Sequence, residues 1–178
     1  MTRNDKIELL KLLEEKTRRD KENALWAFSP YVWQKEFYEA GIENKQRLLM
    51  AANRVGKTRS SCIELAYHLT GRYPEWWTGI RFDFPINAWA LGVSGEQIRD
   101  VLQYELFGSL DKDGFDGEGL IPEKYTGTIT RSMTPKLAKD VKVKHVSGLW
   151  STVSFKSYVN VIIWYNLFFI SSVILPPL

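Results

Sequence analysis

The sequence predicts an α/β fold with a parallel sheet flanked by helices, and three observations support it. The apolar run 48–52 leads directly into a Gly–Lys–Thr turn, as a buried parallel strand would. Residues 57–70 then carry apolar side chains at helical spacing and end at Gly71, a residue typical of helix C-termini. A second strand, 88–93, precedes a helical segment that runs from residue 95 or 96 to 107, so strands and helices alternate.

The composition is that of one globular domain. The chain has 178 residues, 44% of them hydrophobic, which is enough for one sizeable core. Its 24 Lys and Arg slightly outnumber its 21 Asp and Glu, a balance that permits nucleic-acid binding without indicating it. Cys62 is the single cysteine, and we expect it to be a small buried residue in a reducing compartment. The N-terminus lacks the apolar stretch of a signal peptide.

Two more helices are predicted before the Gly–Lys–Thr turn. Residues 5–19 place apolar side chains among charges at roughly helical spacing, so we expect an amphipathic N-terminal helix that packs along one face. Ser29 and Pro30 suit the cap and first position of a second helix, which continues through Tyr38. Gly41 is the expected end of this second helix.

The second half of the chain contains a loop and a hairpin. Residues 111–119 combine glycines with carboxylates, but their order differs from that of an EF-hand calcium loop, so we expect a solvated loop. Residues 141–146 and 151–156 alternate apolar and polar side chains on either side of Gly148, which predicts an antiparallel hairpin. The lysines of this hairpin are expected to line its solvent-exposed face.

Residues 51–58 give the strongest functional signal in the chain. They nearly match the P-loop pattern G-x-x-x-x-G-K-[ST], in which backbone N–H groups and the positive end of a helix hold the phosphates of a nucleotide. Lys57 is expected to contact the β and γ phosphates of ATP, and Thr58 to bind Mg²⁺. Ala51 replaces the first glycine of the pattern, and an unrelated turn is the alternative. The segment reads Ala51, Ala52, Asn53, Arg54, Val55, Gly56, Lys57 and Thr58.

Gln34 is a second candidate for nucleotide binding. It lies seventeen residues before Ala51, and its side-chain amide can both donate to adenine and accept from it. An ordinary surface glutamine explains the residue equally well. Together with the segment 51–58, Gln34 predicts a site for ATP and Mg²⁺.

Four segments of the chain resemble the large terminase subunit of tailed bacteriophages. The resemblance extends from about Leu9 to Tyr158, and its most distinctive segment surrounds Gly71. The four segments are Phe28-Ser29-Pro30-Tyr31, Gln34-Lys35-Glu36-Phe37, residues 51–58 and Ala66-Tyr67-His68-Leu69-Thr70-Gly71-Arg72-Tyr73-Pro74.

The resemblance implies an ATP-driven DNA-packaging motor in the cytoplasm of a bacterial host, encoded by a phage or prophage. Its ATPase would be a P-loop NTPase of the additional-strand class, followed in the family by a nuclease domain of RNase H-like fold. The implied partners are double-stranded DNA, the portal protein and the small terminase subunit. Separately, the apolar stretch from Val161 to Leu175 is shorter than the roughly 20 residues that span a bilayer, so no stable membrane anchor is expected. P-loops of this family often begin with alanine, as at Ala51.

The resemblance also suggests roles for single residues. Arg54 is the candidate for the loop arginine that senses the γ-phosphate, although Asn53 occupies the commonest position for it. Ser94 and Gln97 lie at the strand-to-helix turn that in such motors contacts DNA or couples hydrolysis to movement. A plain helix cap explains Ser94 equally well.

Carboxylates for hydrolysis are missing from the last part of the sequence. The family places an Asp–Glu pair, the Walker B acids, after a later apolar strand, but no Asp or Glu follows Asp140. The nearest apolar run, 159–166, ends in Tyr165 and Asn166, and neither side chain can act as the base. We therefore expect this chain to bind ATP and to hydrolyse it poorly.

The chain is predicted to divide into an N-terminal helical arm (1–27), a partial P-loop ATPase core (28–158) and an apolar tail (159–178). The tail is open to three interpretations: a membrane anchor, a buried strand, or an aberrant end in a decaying prophage gene. The leading hypothesis is a truncated large terminase, with a sheet incomplete at its C-terminal end. The alternatives are another P-loop translocase of helicase type, or a nonhydrolysing module that binds terminase partners through the helix at 5–19.

Overall fold

The computed structural model describes the backbone of residues 3–157, together with their side chains except at 3, 4 and 18–22. The tail 159–178 and its candidate strand 159–166 lie outside the described residues. In chain order the elements are α1 (Arg3–Glu22), α2 (Val32–Glu39), α3 (Lys57–Thr70), β1 (Asn87–Gly92), α4 (Gly95–Gln97), a π-helical stretch (Ile98–Gln103), α5 (Tyr104–Phe107), a 3₁₀ turn (Glu123–Tyr125), β2 (Thr126–Arg131), β3 (Ala138–Lys144) and β4 (Trp150–Ser157).

The four strands form one mixed sheet in the order β1-β4-β3-β2. Strand β1 pairs with β4 in parallel, from Asn87 opposite Thr152 to Gly92 opposite Ser157. The β4–β3 and β3–β2 pairs are antiparallel. The α/β class is confirmed, and the predicted antiparallel hairpin belongs to the sheet, which is therefore mixed, with β1–β4 as the parallel pair among the described strands. The physical reason lies in the short connections, because a turn of a few residues can join only antiparallel neighbours.

The predicted strand 48–52 is wrong, since the structure gives these residues no strand. A strand is held by its ladder of hydrogen bonds to a neighbour, and none of the four described strands pairs with this segment. Its apolar side chains are accordingly not buried, with Leu48 54% exposed and Met50 76% exposed. The apolar run alone could not reveal which strand would pair with it.

Helix α3 confirms its predicted bounds and forms the centre of the core. Every residue from 60 to 70 is buried, and Gly71 ends the helix with φ +67°. The sheet packs against α3 with the inward side chains of β3 and β4. These are Val141, Val143, Val153 and Phe155. Cys62 is buried in this core as expected.

Helix α2 is shorter than predicted. Its N-cap is Tyr31, whose backbone is extended, so Ser29 and Pro30 lie before the helix. The side-chain Oε1 of Gln34 accepts a hydrogen bond from the Tyr31 N–H at 2.8 Å, which gives the helix start a partner that Ser29 was expected to supply. The helix ends at Glu39, and its C-cap is Ala40, one residue before Gly41.

Helix α1 is confirmed and extends beyond the predicted 5–19. The expectation that it packs along one face is wrong, because its apolar side chains remain exposed, from 45% at Leu9 to 62% at Leu12. Leu25, beyond the helix, is fully buried, and the hydroxyl of Tyr67 donates to its carbonyl at 2.8 Å. The chain thus enters the core only after α1. Whether α1 binds a partner stays a prediction, as does the division of the chain at residue 27.

The segment 95–107 is helical as predicted, but its middle is a π-helix. This wider turn ends at Gln103, which is fully buried although polar. The Gln103 amide donates to the Lys136 carbonyl at 2.9 Å and accepts from the Ala138 N–H at 2.7 Å. A buried amide with both groups bonded is stable, and this one connects the helical segment to the start of β3.

The remaining predictions are largely confirmed. Strand β1 begins one residue earlier than predicted, and the hairpin β3–β4 turns at Gly148 with φ +87°. Residues 111–119 are irregular, but Phe115 is buried there and stacks on Phe107 at 5.0 Å, so the loop is only partly solvated. Strand β2 was not predicted. Within residues 3–157, no helix combines the length and apolarity that crossing a bilayer requires.

His145 joins the β3–β4 turn to the end of α3. Its Nδ1 accepts from the Ser147 N–H at 3.1 Å, and its Nε2 lies 3.3 Å from the Phe82 carbonyl. A neutral imidazole that carries its proton on Nε2 satisfies both contacts. Burial lowers the pKa of His145, while the Phe82 carbonyl opposes that shift.

We expect this imidazole to make the protein less stable in mild acid. Because the folded-state pKa lies below the ordinary value of about 6.5, the unfolded chain binds the proton first as the pH falls. The contribution to stability is complete above about pH 6.5 and declines below it, toward the folded-state pKa. Urea unfolding at about pH 7.5 and 5.5 measures the decline. In His145→Asn the loss of stability between these two pH values should be smaller. If the loss stayed the same in that variant, His145 would not be its cause.

Candidate nucleotide site

The segment 51–56 forms an exposed turn that leads into α3. Gly56 is the N-cap of the helix with φ +86°, a conformation that glycine adopts without strain. Arg54 also has a positive φ, +64°, which is uncommon for a residue with a side chain. The first turn of α3 follows directly, with the Ser60 N–H donating to the Gly56 carbonyl at 2.9 Å. The backbone of this turn therefore presents the N-terminus of a 14-residue helix at the protein surface.

Lys57 folds back over this turn. Its Nζ donates to the carbonyls of Ala51 and Ala52, each at 2.6 Å. These two bonds hold the ammonium group beside the loop and above the start of α3. An anion at the helix N-terminus would compete with the two carbonyls for the ammonium. Thr58 follows at the same helix end and is half-buried.

Gln34 lies next to the turn, although it is seventeen residues away from Ala51 in sequence. Its side chain is only 2% exposed, so the alternative of an ordinary surface glutamine is wrong. A Cβ atom built on Gly56 would lie 4.0 Å from the Gln34 Nε2. Its Oε1 already accepts from the Tyr31 N–H. The structure therefore brings Gln34 to Gly56, with its Nε2 toward the loop.

Two side chains whose contacts the sequence did not reveal, Tyr38 and Arg47, hold α2 against α3. The Tyr38 hydroxyl lies 2.7 Å from Ser60 Oγ and 2.9 Å from the Ser60 carbonyl. Burial raises the pKa of Tyr38, so this group stays a neutral donor. One turn further along α3, the Arg47 guanidinium pairs with Glu64 at 2.6 Å and also donates to the Phe37 carbonyl at 2.5 Å. These contacts fix Gln34 relative to the Gly–Lys–Thr turn.

The strand-to-helix turn after β1 has the contacts of a helix cap. Ser94 Oγ accepts from the Gln97 N–H at 3.2 Å, and Gln97 Oε1 accepts from the Val93 N–H at 3.2 Å. This is the arrangement of a capping residue, so the structure confirms the simpler interpretation of Ser94. A DNA-coupling role for Ser94 and Gln97 stays a prediction.

The last acidic residue of the sequence, Asp140, does not lie in the Gly–Lys–Thr turn. It is on β3, paired with Thr130 and Ser154 of the neighbouring strands, and it accepts from Ser154 Oγ at 2.5 Å. In the first turn of α3, Arg59 forms an ion pair with Glu105 of α5 at 2.7 Å. Within residues 3–157, no group of three or more His, Cys, Asp or Glu side chains is arranged to hold a metal ion.

The fold and this turn define the class of the protein: a mixed α/β protein in which a Gly–Lys–Thr turn opens a buried helix. Over most of its length the chain is a homologue of the phage terminase large subunit. It is 34% identical over 154 residues to the large terminase subunit of Salmonella phage P22. The alignment covers 79% of this chain and 31% of the phage protein, so the chain spans about a third of that relative's length.

The resemblance found in the sequence is thereby confirmed. No family model matches the chain. No solved structure matches it either.

Proposed function

We propose that the chain is the ATP-binding part of a phage DNA-packaging motor. The observation that carries the proposal is the arrangement of Lys57 at the N-terminus of α3, with Gln34 placed at Gly56. A helix N-terminus attracts phosphate, because its free N–H groups and its dipole favour negative charge. Lys57 would exchange the Ala51 and Ala52 carbonyls for phosphate oxygens, and Thr58 would supply a hydroxyl to Mg²⁺. The homology to a terminase large subunit supports the same role.

The remaining loop residues have smaller parts in this proposal. The backbones of Asn53 and Val55 would contribute N–H groups around the phosphates, and Arg54 would approach the γ-phosphate. The Nε2 of Gln34 would donate to adenine, while its Oε1 keeps its bond to Tyr31. A packaging role would bring the protein into contact with double-stranded DNA, the portal protein and the small terminase subunit in the host cytoplasm.

We also propose that these 178 residues by themselves hydrolyse ATP slowly. Phosphoryl transfer to water requires a group that orients the water and a carboxylate that helps to hold Mg²⁺. No Asp or Glu follows Asp140, and Asp140 is bonded within the sheet to Ser154. The chain would then bind the nucleotide without efficient turnover.

Substitution of Lys57 tests nucleotide binding. In Lys57→Ala we expect the affinity for a nonhydrolysable ATP analogue with Mg²⁺ to fall at least about tenfold, since a charge-assisted contact to phosphate is worth roughly 1.5–3 kcal/mol. Calorimetric titration measures the dissociation constant. Lys35→Ala is the control, because Lys35 is an exposed lysine on α2, next to Gln34 in sequence.

Two results would count against the proposal. Equal affinity of the Lys57 and Lys35 variants would remove the nucleotide site from this turn. Rapid phosphate release by the unmodified chain, abolished in Lys57→Ala, would preserve the site but contradict slow hydrolysis.

A further inference from the structure

The sheet has one face covered by helices and one face open among the described residues. Side chains alternate along each strand, and the buried set of β3 and β4 points toward α3. The opposite set is exposed and contains three lysines, Lys142, Lys144 and Lys156, together with Trp89 and Trp150. We call this surface the lysine face.

The pairing of the strands brings these side chains together. Lys144 lies opposite Trp150, and Lys142 lies two residues earlier on β3, about 7 Å from Lys144. Lys156 is on the other half of β4, where its Nζ is 3.5 Å from the centroid of the Trp89 ring. Asp140 is the one carboxylate of the four strands, and it already accepts from Ser154. The lysine face therefore has a net positive charge.

Both tryptophan rings already have one side occupied. The Lys156 ammonium lies over Trp89. Trp150 lies over the backbone of β2, where a Cβ on Gly127 would be 2.5 Å from the ring. Platforms for single-stranded nucleic acid instead use aromatic rings that are free for bases to stack upon. Since one side of each ring stays open, the preference for phosphates rests on the charge of the lysine face, three exposed ammonium groups against the single carboxylate of Asp140.

We propose that the lysine face binds the phosphate backbone of double-stranded DNA. The proposal rests on the proposed function, since a packaging protein must contact the duplex, and it assigns that contact to a surface away from the Gly–Lys–Thr turn. Lysine side chains are common partners of DNA phosphates, and such contacts carry no sequence information. The expected binding is therefore insensitive to sequence and strongly dependent on salt.

The test compares two triple variants with the same change in net charge. The first variant replaces Lys142, Lys144 and Lys156 with glutamine. The control variant replaces Lys35, Lys45 and Lys112 with glutamine, and these are exposed lysines outside the lysine face. Fluorescence anisotropy with a labelled 30-base-pair duplex, without nucleotide, measures affinity over a range of salt concentrations.

We expect the first variant to lose at least about tenfold in affinity. The slope of the logarithm of its association constant against the logarithm of the salt concentration should fall in magnitude by about 2 to 3. The control should lose much less.

Three outcomes would overturn the proposal: no duplex binding by the unmodified chain, equal losses in the two triple variants, or tighter binding of a single strand that Trp150→Ala abolishes. Thermal unfolding of both variants shows whether the fold is retained. Nucleotide binding is measured separately by calorimetry. A failed DNA result with intact nucleotide binding would then reject the lysine face and leave the ATP site standing.

Discussion

Replacing Gly71 with alanine should reduce the free energy of unfolding by about 3 kcal/mol. Gly71 ends α3 with φ +67°, where a residue with a Cβ is disfavoured by roughly 1–2 kcal/mol. The added methyl group would also overlap the imidazole of His145, which is buried against this position. Forcing a group into packed space costs roughly 1–3 kcal/mol more. Urea unfolding followed by circular dichroism measures the change in midpoint at constant m-value.

Gly148→Ala is the matched control for this experiment. Gly148 also has a positive φ, +87°, but a Cβ at this position would meet no other atom within 4 Å. We expect a loss of only about 1–2 kcal/mol, from the backbone conformation alone. If both variants lost the same free energy of unfolding, crowding of the added methyl group against His145 would contribute nothing to the effect at Gly71.

Replacing Arg47 with alanine should cost about 2–3 kcal/mol. The guanidinium pairs with Glu64, donates to the Phe37 carbonyl and lies 4.5 Å from the centroid of the Phe37 ring. Its loss would leave the largely buried Glu64 carboxylate without this ion pair, with the His68 Nε2 3.6 Å away. Breaking a buried pair typically costs 3–5 kcal/mol, and the partial exposure of Arg47 reduces that figure. Urea unfolding followed by circular dichroism measures this change as well.

Arg59→Ala removes an ion pair of nearly the same length from a more exposed site. The Arg59–Glu105 distance is 2.7 Å, but the Arg59 side chain is 52% exposed. Surface pairs contribute at most about 1 kcal/mol, so this variant should be nearly as stable as the unmodified chain. If the two arginine variants lost the same stability, burial of Glu64 could not be the cause. The double substitution Arg47→Met with Glu64→Leu should recover much of the loss, because no unpaired charge remains.

The sequence predicted those elements whose signals are local. Helix α3 was predicted residue for residue, because its apolar spacing and the terminal Gly71 lie within one segment. The β3–β4 hairpin was predicted because its alternation and its turn are neighbours in the chain. The segment 48–52 was misassigned, since an apolar run does not specify a partner strand. Strand β2 escaped notice because its sequence, Thr-Gly-Thr-Ile-Thr-Arg, has a weak apolar pattern and a glycine.

The loop of the candidate site could be predicted from the sequence, but the contacts that hold the loop in place could not. Residues 51–58 form a contiguous pattern, whereas the contacts that support it join residues far apart in the chain. Tyr38 and Ser60 are separated by 22 positions, and Arg47 and Glu64 by 17. No local pattern marks such pairs. The burial of Gln34 was likewise hidden, because it depends on how α2 packs against α3.

The buried amide of Gln103 has a consequence for the electrostatics of the sheet. Through its bonds to the Lys136 carbonyl and the Ala138 N–H, it fixes the residue at which β3 begins. Because side chains alternate, a slip of one residue would turn Lys142 and Lys144 toward the core and expose Val141 and Val143. One uncharged side chain on the helical segment thus supports the register that places the positive charge on the outer side of the sheet.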